Sequence, residues 1–293
     1  MTPPKLSIGL VQMSARTQRD ENLAHAITGL REAVQRGAKI ICLQELFALP
    51  YFCQTENEAH FQLAEPLIGP TTQTMAQMAK ELGVVVIAPL FERRCAGLYH
   101  NTAVVLGPDG KHLGTYRKLH IPHDPQYYEK YYFAPGDLGV VVVDTPFARI
   151  APLICYDQWF PETARLATLG GADILFYPTA IGWLPDEKDR YGGSQLSAWQ
   201  AIQQSHAIAN GTFVAAVNRT GSEGEYDTRL EFWGHSFVCG PFGEILGQAG
   251  SEEQVLVVEC NLGVIDAVRR SWPFLRDRRI DVYGGLTQRL LDG

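Results

Sequence analysis

A chain of 293 residues with 46% hydrophobic and 19% charged content reads as globular, ample for one large α/β domain and short for two. Its net charge of −7 argues against nucleic-acid binding that rests on broad basic attraction. The opening "MTPPKLSIGLVQMSA" holds no long apolar region, so it reads as neither a signal peptide nor a membrane span.

In chain order, "LSIGLVQM" reads as a strand. "RDENLAHAITGLREAVQRGA" reads as an amphipathic helix, with Leu23, Ile27, Leu30 and Val34 at helical spacing and Gly37 near its end. "KIICLQE" is the next strand, "TTQTMAQMAKELG" a helix and "VVVIAPLFER" a strand. "NTAVVLGPDGKHLGTYRK" is a hairpin around Pro108-Asp109-Gly110, and "GVVVVDTPFARIAPLICY" a second strand pair. "PETARLATLGG" is a helix, "ADILFYP" a strand, "GSQLSAWQAIQQSHAIANG" a helix and "TFVAAVNRTG" a strand. "WGHSFVCGPFGEIL" and "EQVLVVECNL" are expected to form a final hairpin. Hairpins are thus mixed with βα units. That pattern suits an α/β fold of four layers, an αββα sandwich of two mixed sheets with helices outside.

The six cysteines (Cys42, Cys53, Cys95, Cys155, Cys239, Cys260) are scattered, with no CxxC pair and no zinc-like Cys/His spacing. They read as reduced thiols of a cytoplasmic protein, and no metal is expected. One of them stands apart. In "APLICYDQWFPE" an apolar strand ends at Cys155, and Pro161-Glu162 has the chemistry of a helix start. A thiol at such a turn lies near a helix N-terminus, which lowers its pKa and favours a nucleophile. Buried cysteines that act as small hydrophobes are the common alternative.

Glu45 closes "KIICLQE" and Lys118 closes the "GTYRK" strand. Active sites of open α/β sheets lie outside the strand carboxyl ends, so the three ends can converge there. The residue types are complementary. A carboxylate can take a thiol's proton and later activate water. An ammonium and a backbone N–H can hold an oxyanion. Taken singly, a Glu or a Lys at a strand end is more often a solvated or structural residue.

The contexts "LQELF" around Glu45, "YRKLHIP" around Lys118 and "ICYDQWFPE" around Cys155 resemble the carbon–nitrogen hydrolase (nitrilase) superfamily, whose Glu-Lys-Cys triad runs in this order. The similarity extends from "IGLVQM" to "RDRRIDVYGGL", essentially the whole chain. It implies a single domain over residues 1–293, with the segment from about 265 to 293 packing at a subunit interface of a homo-oligomer. Six arginines in and just beyond "RRSWPFLRDRRIDVYGGL" are interleaved with Trp272, Pro273, Phe274 and Tyr283, which suits packing and not nucleic acid.

Further stretches, "HIPHDPQYYEKYYFAPGD", "ILFYPTAIGW" and "AIANGTFVAAVNRTG", are most similar to amidohydrolases of N-carbamoylputrescine, which release putrescine, carbon dioxide and ammonia. The resemblance matches Glu129 to a second active-site glutamate, although "YYEKYY" also reads as an exposed aromatic loop. It implies that the backbone N–H of Tyr156 shares the oxyanion with Lys118, and that no cofactor is needed. A small ureido or amide substrate with a cationic tail needs a carboxylate far from the thiol. Asp124 and the pair Asp186-Glu187 are the loop candidates, Glu187 being favoured, with Tyr51, Trp159 and Trp183 as walls or stacking partners. Hydrolases of carbamoyl-D-amino acids carry an arginine pair soon after the cysteine, whereas Gln158-Trp159 stands here. Other amides or nitriles, a binding protein that keeps the fold, and a redox protein remain alternatives.

Overall fold

A computed structural model of the chain describes residues 5–224 and 229–291. Two six-stranded sheets organise it. The first runs in the order Gln254–Asn261, Lys5–Gln12, Ile40–Leu43, Val85–Cys95, Leu98–Leu106, His112–Arg117. Its central three strands are parallel and its flanking strands antiparallel. The second runs Ile245–Gln248, Phe237–Cys239, Phe213–Val217, Ile174–Pro178, Arg149–Pro152, Val143–Asp144 and has the same parallel centre and antiparallel edges. A small third sheet joins Thr220–Glu223, Leu230–Trp233 and Gly182–Trp183.

The alternation of side chains explains the layering. Ile40 and Cys42 enter the core that includes Phe176 and Val214, while Ile41 and Leu43 join a second core under the helices. The two sheets touch where Lys5–Gln12 meets Phe213–Val217 and where Ile40–Leu43 meets Ile174–Pro178. Burying each Ile or Leu in such a core stabilises the fold by roughly 1.5–3 kcal/mol. Outside the first sheet, the helix Arg19–Gln35 contributes Leu23, Ala26, Leu30 and Ala33, and the helix Pro70–Leu82 contributes Met75, Met78 and Ala79. The helices Pro161–Leu169 and Pro185–Asn210 belong with the second sheet. The arrangement is the expected αββα sandwich.

The helix Arg19–Gln35 and the first sheet approach closely at Gly29. A Cβ added to Gly29 would lie 2.5 Å from Cγ1 of Val11 on the neighbouring strand. Gly29→Ala is therefore expected to cost about 1–3 kcal/mol by overpacking, read as a lower midpoint in urea, with kcat unchanged. An unaltered midpoint would show that the helix can shift freely.

The last strand departs from the sequence-based expectation. Gln254–Asn261 does not pair with the strand before it. It crosses to the first sheet and pairs antiparallel with Lys5–Gln12 over the full eight residues. The tight hairpin is Phe237–Cys239 with Ile245–Gln248. Both readings satisfy the same apolar alternation, and only the open edge beside Lys5–Gln12 decides between them. The long second-sheet helix also begins earlier than expected, at Pro185 and not near Gly193. Pro185 fits the first turn, where a missing N–H costs nothing, so "PDEKD" is helix and not loop.

Candidate active site

Three strand ends carry the candidate residues to one place. Glu45 lies two residues beyond Ile40–Leu43, Lys118 directly follows His112–Arg117, and Cys155 lies three residues beyond Arg149–Pro152. Glu45, Lys118 and Glu129 are all fully buried. The Lys118 ammonium donates to Glu45 Oε1 at 2.8 Å and to Glu129 Oε2 at 2.6 Å. Asn101 Nδ2 donates to the same Glu45 oxygen at 2.7 Å. The other oxygen of Glu45 is buried and has no hydrogen-bond partner. One lone-pair face of this carboxylate is thus fully occupied and the other is free to take a proton.

Burial works against the Lys118 ammonium, but the charges of Glu129 and Glu45 outweigh it and hold its pKa well above the usual value. The site lysine is a fixed cation. Burial pushes the Glu129 carboxyl up to about 7 against the opposing pull of Lys118. The "YYEKYY" stretch is accordingly not an exposed loop. Glu129–Tyr132 is a single helical turn whose Glu129 points into the core.

Cys155 has φ +42, a left-handed conformation that an L side chain rarely adopts. It opens the short helical turn Cys155–Trp159, just before the helix Pro161–Leu169. Such strain persists only where surroundings hold it, and it collects at functional turns. The expected low thiol pKa is not found. Burial and then the Glu45 charge push it well above the usual value, outweighing Lys118 and a hydrogen bond to the Ala180 backbone. Proximity to a helix start does not offset desolvation here. The resting thiol keeps its proton, so it could serve as a nucleophile only with a neighbouring base to take that proton.

The thiol opens into a cavity of about 370 Å³. Tyr156, Trp159, Asp124, Glu187, Tyr127 and Trp233 are among its lining residues. Two sequence candidates lie elsewhere. Tyr51 is fully buried and does not wall the cavity; its hydroxyl donates to Glu129 Oε1 at 2.8 Å. Trp183 lines the adjoining cavity, with Lys188 above its ring at 5.4 Å. Glu187 borders both cavities, in the first turn of Pro185–Asn210, and its carboxylate accepts the Leu184 N–H at 3.2 Å. It is partly committed to capping that helix. Asp124 is exposed at the cavity rim.

A family model described as carbon-nitrogen hydrolase matches residues 7–270. The chain belongs to the carbon-nitrogen hydrolase family. This hydrolase is 42% identical over 284 residues to the N-carbamoylputrescine amidase of Solanum tuberosum, covering 95% of this chain and 93% of that one. It is 36% identical to a citrullinase of Francisella tularensis, covering 97% and 99%. A carbon-nitrogen hydrolase from Helicobacter pylori G27 superposes with a TM-score of 0.95 at 42% identity, covering 98% of this chain and all of that one. A mutant amidase from Nesterenkonia sp. AN1, solved with the acetamide moiety of fluoroacetamide covalently added at its active-site cysteine, superposes at 0.78 with 26% identity over 95% of both chains. This carbon-nitrogen hydrolase is thus an amidohydrolase acting on amide C–N bonds, as its motifs implied.

Several buried groups around the hydrolase site escaped sequence reasoning. Asn101 stands at the start of an ordinary-looking hairpin segment. Arg219, fully buried, donates to the carbonyls of Glu45, Leu46 and Leu49 at 3.0–3.1 Å and pairs with Glu223 at 2.7 Å. It thereby holds the turn where Leu46 sits at φ +49. Glu223 also accepts the Tyr51 N–H at 2.6 Å. The only advance signal for Arg219 was a charge at the end of the apolar run "TFVAAVNRTG".

Proposed function

We propose that this carbon-nitrogen hydrolase cleaves N-carbamoylputrescine to putrescine, carbon dioxide and ammonia, with Cys155 as nucleophile. The observation that carries the substrate class is the charge of the thiol cavity. Two carboxylates, Asp124 and Glu187, line it, and among its described lining residues there is no Arg, Lys or His. A ureido compound with a cationic tail finds partners there. A substrate ending in a carboxylate meets like charge, and a desolvated charge without a counterion is costly. Trp159 and Tyr127 supply apolar wall for an aliphatic chain. The names of the plant relatives agree with this reading.

The chemistry follows from the groups present. Glu45 takes the thiol proton through its unpartnered oxygen, and the thiolate sulfur attacks the ureido carbon. Lys118 and the Tyr156 backbone N–H stabilise the oxyanion that forms. Collapse expels an amine, which receives the proton from Glu45, and leaves a thioester on Cys155. Glu45 then deprotonates water, water displaces the thiolate, and the carbamate decomposes. Glu129 is the second carboxylate that holds Lys118 and is itself held by Tyr51.

Glu129 gives the rate a sign with pH. Below about 7 its carboxyl is protonated and its grip on Lys118 weakens, so kcat is expected to fall as pH drops through this value. In Glu129→Gln that inflection should vanish; an unchanged profile would assign it to another group.

The substrate reading is tested by ammonia release from a ureido panel. N-carbamoylputrescine should be turned over with a kcat/KM at least tenfold above N-carbamoyl-β-alanine. Asp124→Asn and Glu187→Gln should raise KM for the cationic substrate by roughly tenfold combined, with little effect on a neutral urea of equal length. Faster hydrolysis of the carboxylate-bearing compound would overturn the substrate and leave the thiol chemistry standing.

The same reading treats residues 1–293 as one domain whose tail, from about 265, packs between subunits. Trp272, Phe274, Val282 and Leu286 are exposed, as are Leu166 and Leu169 on the helix Pro161–Leu169. Burying such side chains against another subunit is favourable. Among the described residues no helix is long and apolar enough to cross a membrane, and all six cysteines are free thiols, which fits a reducing, cytoplasmic setting.

A further inference from the structure

Asp157 is a fully buried carboxylate two residues after Cys155. Its Oδ2 accepts from the Tyr116 hydroxyl at 2.6 Å and from the Ile154 N–H at 3.0 Å. Its Oδ1 accepts from the His120 N–H at 3.0 Å and lies 2.8 Å from His120 Nδ1. A carboxylate offers only acceptors, so Nδ1 carries a hydrogen and the His120 tautomer is fixed. The ring of His120 stacks on Phe160, with centroids 3.7 Å apart and planes 5° apart. One end of this assembly is therefore the residue just before the strained Cys155. The other is a residue two beyond Lys118.

We propose that Asp157 and His120 form a clamp that sets the position of the Lys118 loop against the Cys155 turn. Both are positioning residues, since neither lines the thiol cavity. The inference rests on the roles given to Cys155 and Lys118 and not on the choice of substrate. Two observations make a clamp necessary. Cys155 sits at φ +42, a strained conformation that must be imposed from outside. Lys118 and Cys155 also come from different sheets, so no shared hydrogen-bond ladder fixes their spacing. Asp157 bonds to both segments at once, and the stacked ring of Phe160 restricts His120 to one orientation.

Replacing His120 tests this without opening the core, because its side chain is 31% exposed. His120→Phe keeps a ring to stack on Phe160 and removes both ring nitrogens, the Nδ1 donor to Asp157 among them, while the backbone N–H bond to Asp157 stays. A displacement of the oxyanion cation by a fraction of an ångström should lower kcat by about tenfold, with KM within about twofold. His120→Asn restores a donor near the Nδ1 position and should recover most of kcat. Asp157→Asn presents an N–H group to two of the existing donors and should lower kcat about as much. The double variant His120→Phe/Asp157→Asn should then be little worse than either single one. Full kcat in His120→Phe, no recovery in His120→Asn, or strictly additive losses in the double variant would each overturn the clamp. Failure of the underlying thiol assignment would show separately, as turnover by Cys155→Ala.

Discussion

Cys155→Ala should lose turnover by about 10⁴-fold or more, while the fold stays intact. The size of the effect follows from the geometry. Glu45 has one free buried oxygen, but a base alone can only activate water. Without the sulfur there is no covalent intermediate to divide the reaction into two easier steps. Removing a side chain as small as Cys at a residue 7% exposed leaves little cavity, so a loss of activity with an unchanged urea midpoint reports chemistry. Cys42→Ala is the contrast. That thiol is buried in the core between the sheets, and its removal should touch stability and leave kcat alone. Substantial activity in Cys155→Ala would remove the proposed mechanism altogether.

Glu45→Gln and Lys118→Ala should each lower kcat by roughly 10²-fold or more. The two differ in kind. Gln at position 45 can still accept from Lys118 and Asn101 through its carbonyl oxygen, so the frame holds while the base is gone. Deacylation should then lag, and a mass increase of one carbamoyl or alkylcarbamoyl group should accumulate on the protein during turnover. Lys118→Ala instead leaves Glu45 and Glu129 facing each other without their shared cation. Two buried carboxylates without that charge cannot both stay ionised, so one should take a proton, and both stability and kcat should fall. Normal kcat with a free thiol in either variant would contradict the roles assigned.

The candidate site residues were legible because each follows a strand end within a motif of recognisable type. "LQELF", "YRKLHIP" and "ICYDQWFPE" name the three strand ends, and the alternation of apolar runs with helical ones yields the sandwich. What the sequence left hidden is set by partners far along the chain. Whether Gln254–Asn261 pairs with its neighbour or crosses to Lys5–Gln12 depends on which sheet edge is open. Glu187 reads as a solvated loop acid until Pro185 is seen to start the helix, and then its carboxylate partly serves as a cap. Tyr51 suits an aromatic wall, yet its hydroxyl turns inward to Glu129. The thiol's acidity was misjudged for a related reason: helix proximity can be read locally, whereas desolvation comes from the whole surrounding core. Asn101 and Arg219 carry no motif a single sequence can reveal, and Asp157 stands inside "ICYDQWFPE" without showing its partners, because all three work through contacts between remote segments.

On the proposed mechanism, all turnover passes through the Cys155 sulfur. It is tested most directly by titrating the enzyme with iodoacetamide and following residual activity against the fraction of Cys155 alkylated, located by peptide mapping. A Cys95→Ser background suits the experiment, since Cys95 is the exposed thiol. Activity should fall in direct proportion to Cys155 modification and reach zero when that one thiol is fully alkylated, with excess N-carbamoylputrescine slowing the loss. Activity that persists on enzyme whose Cys155 is completely alkylated would contradict the mechanism.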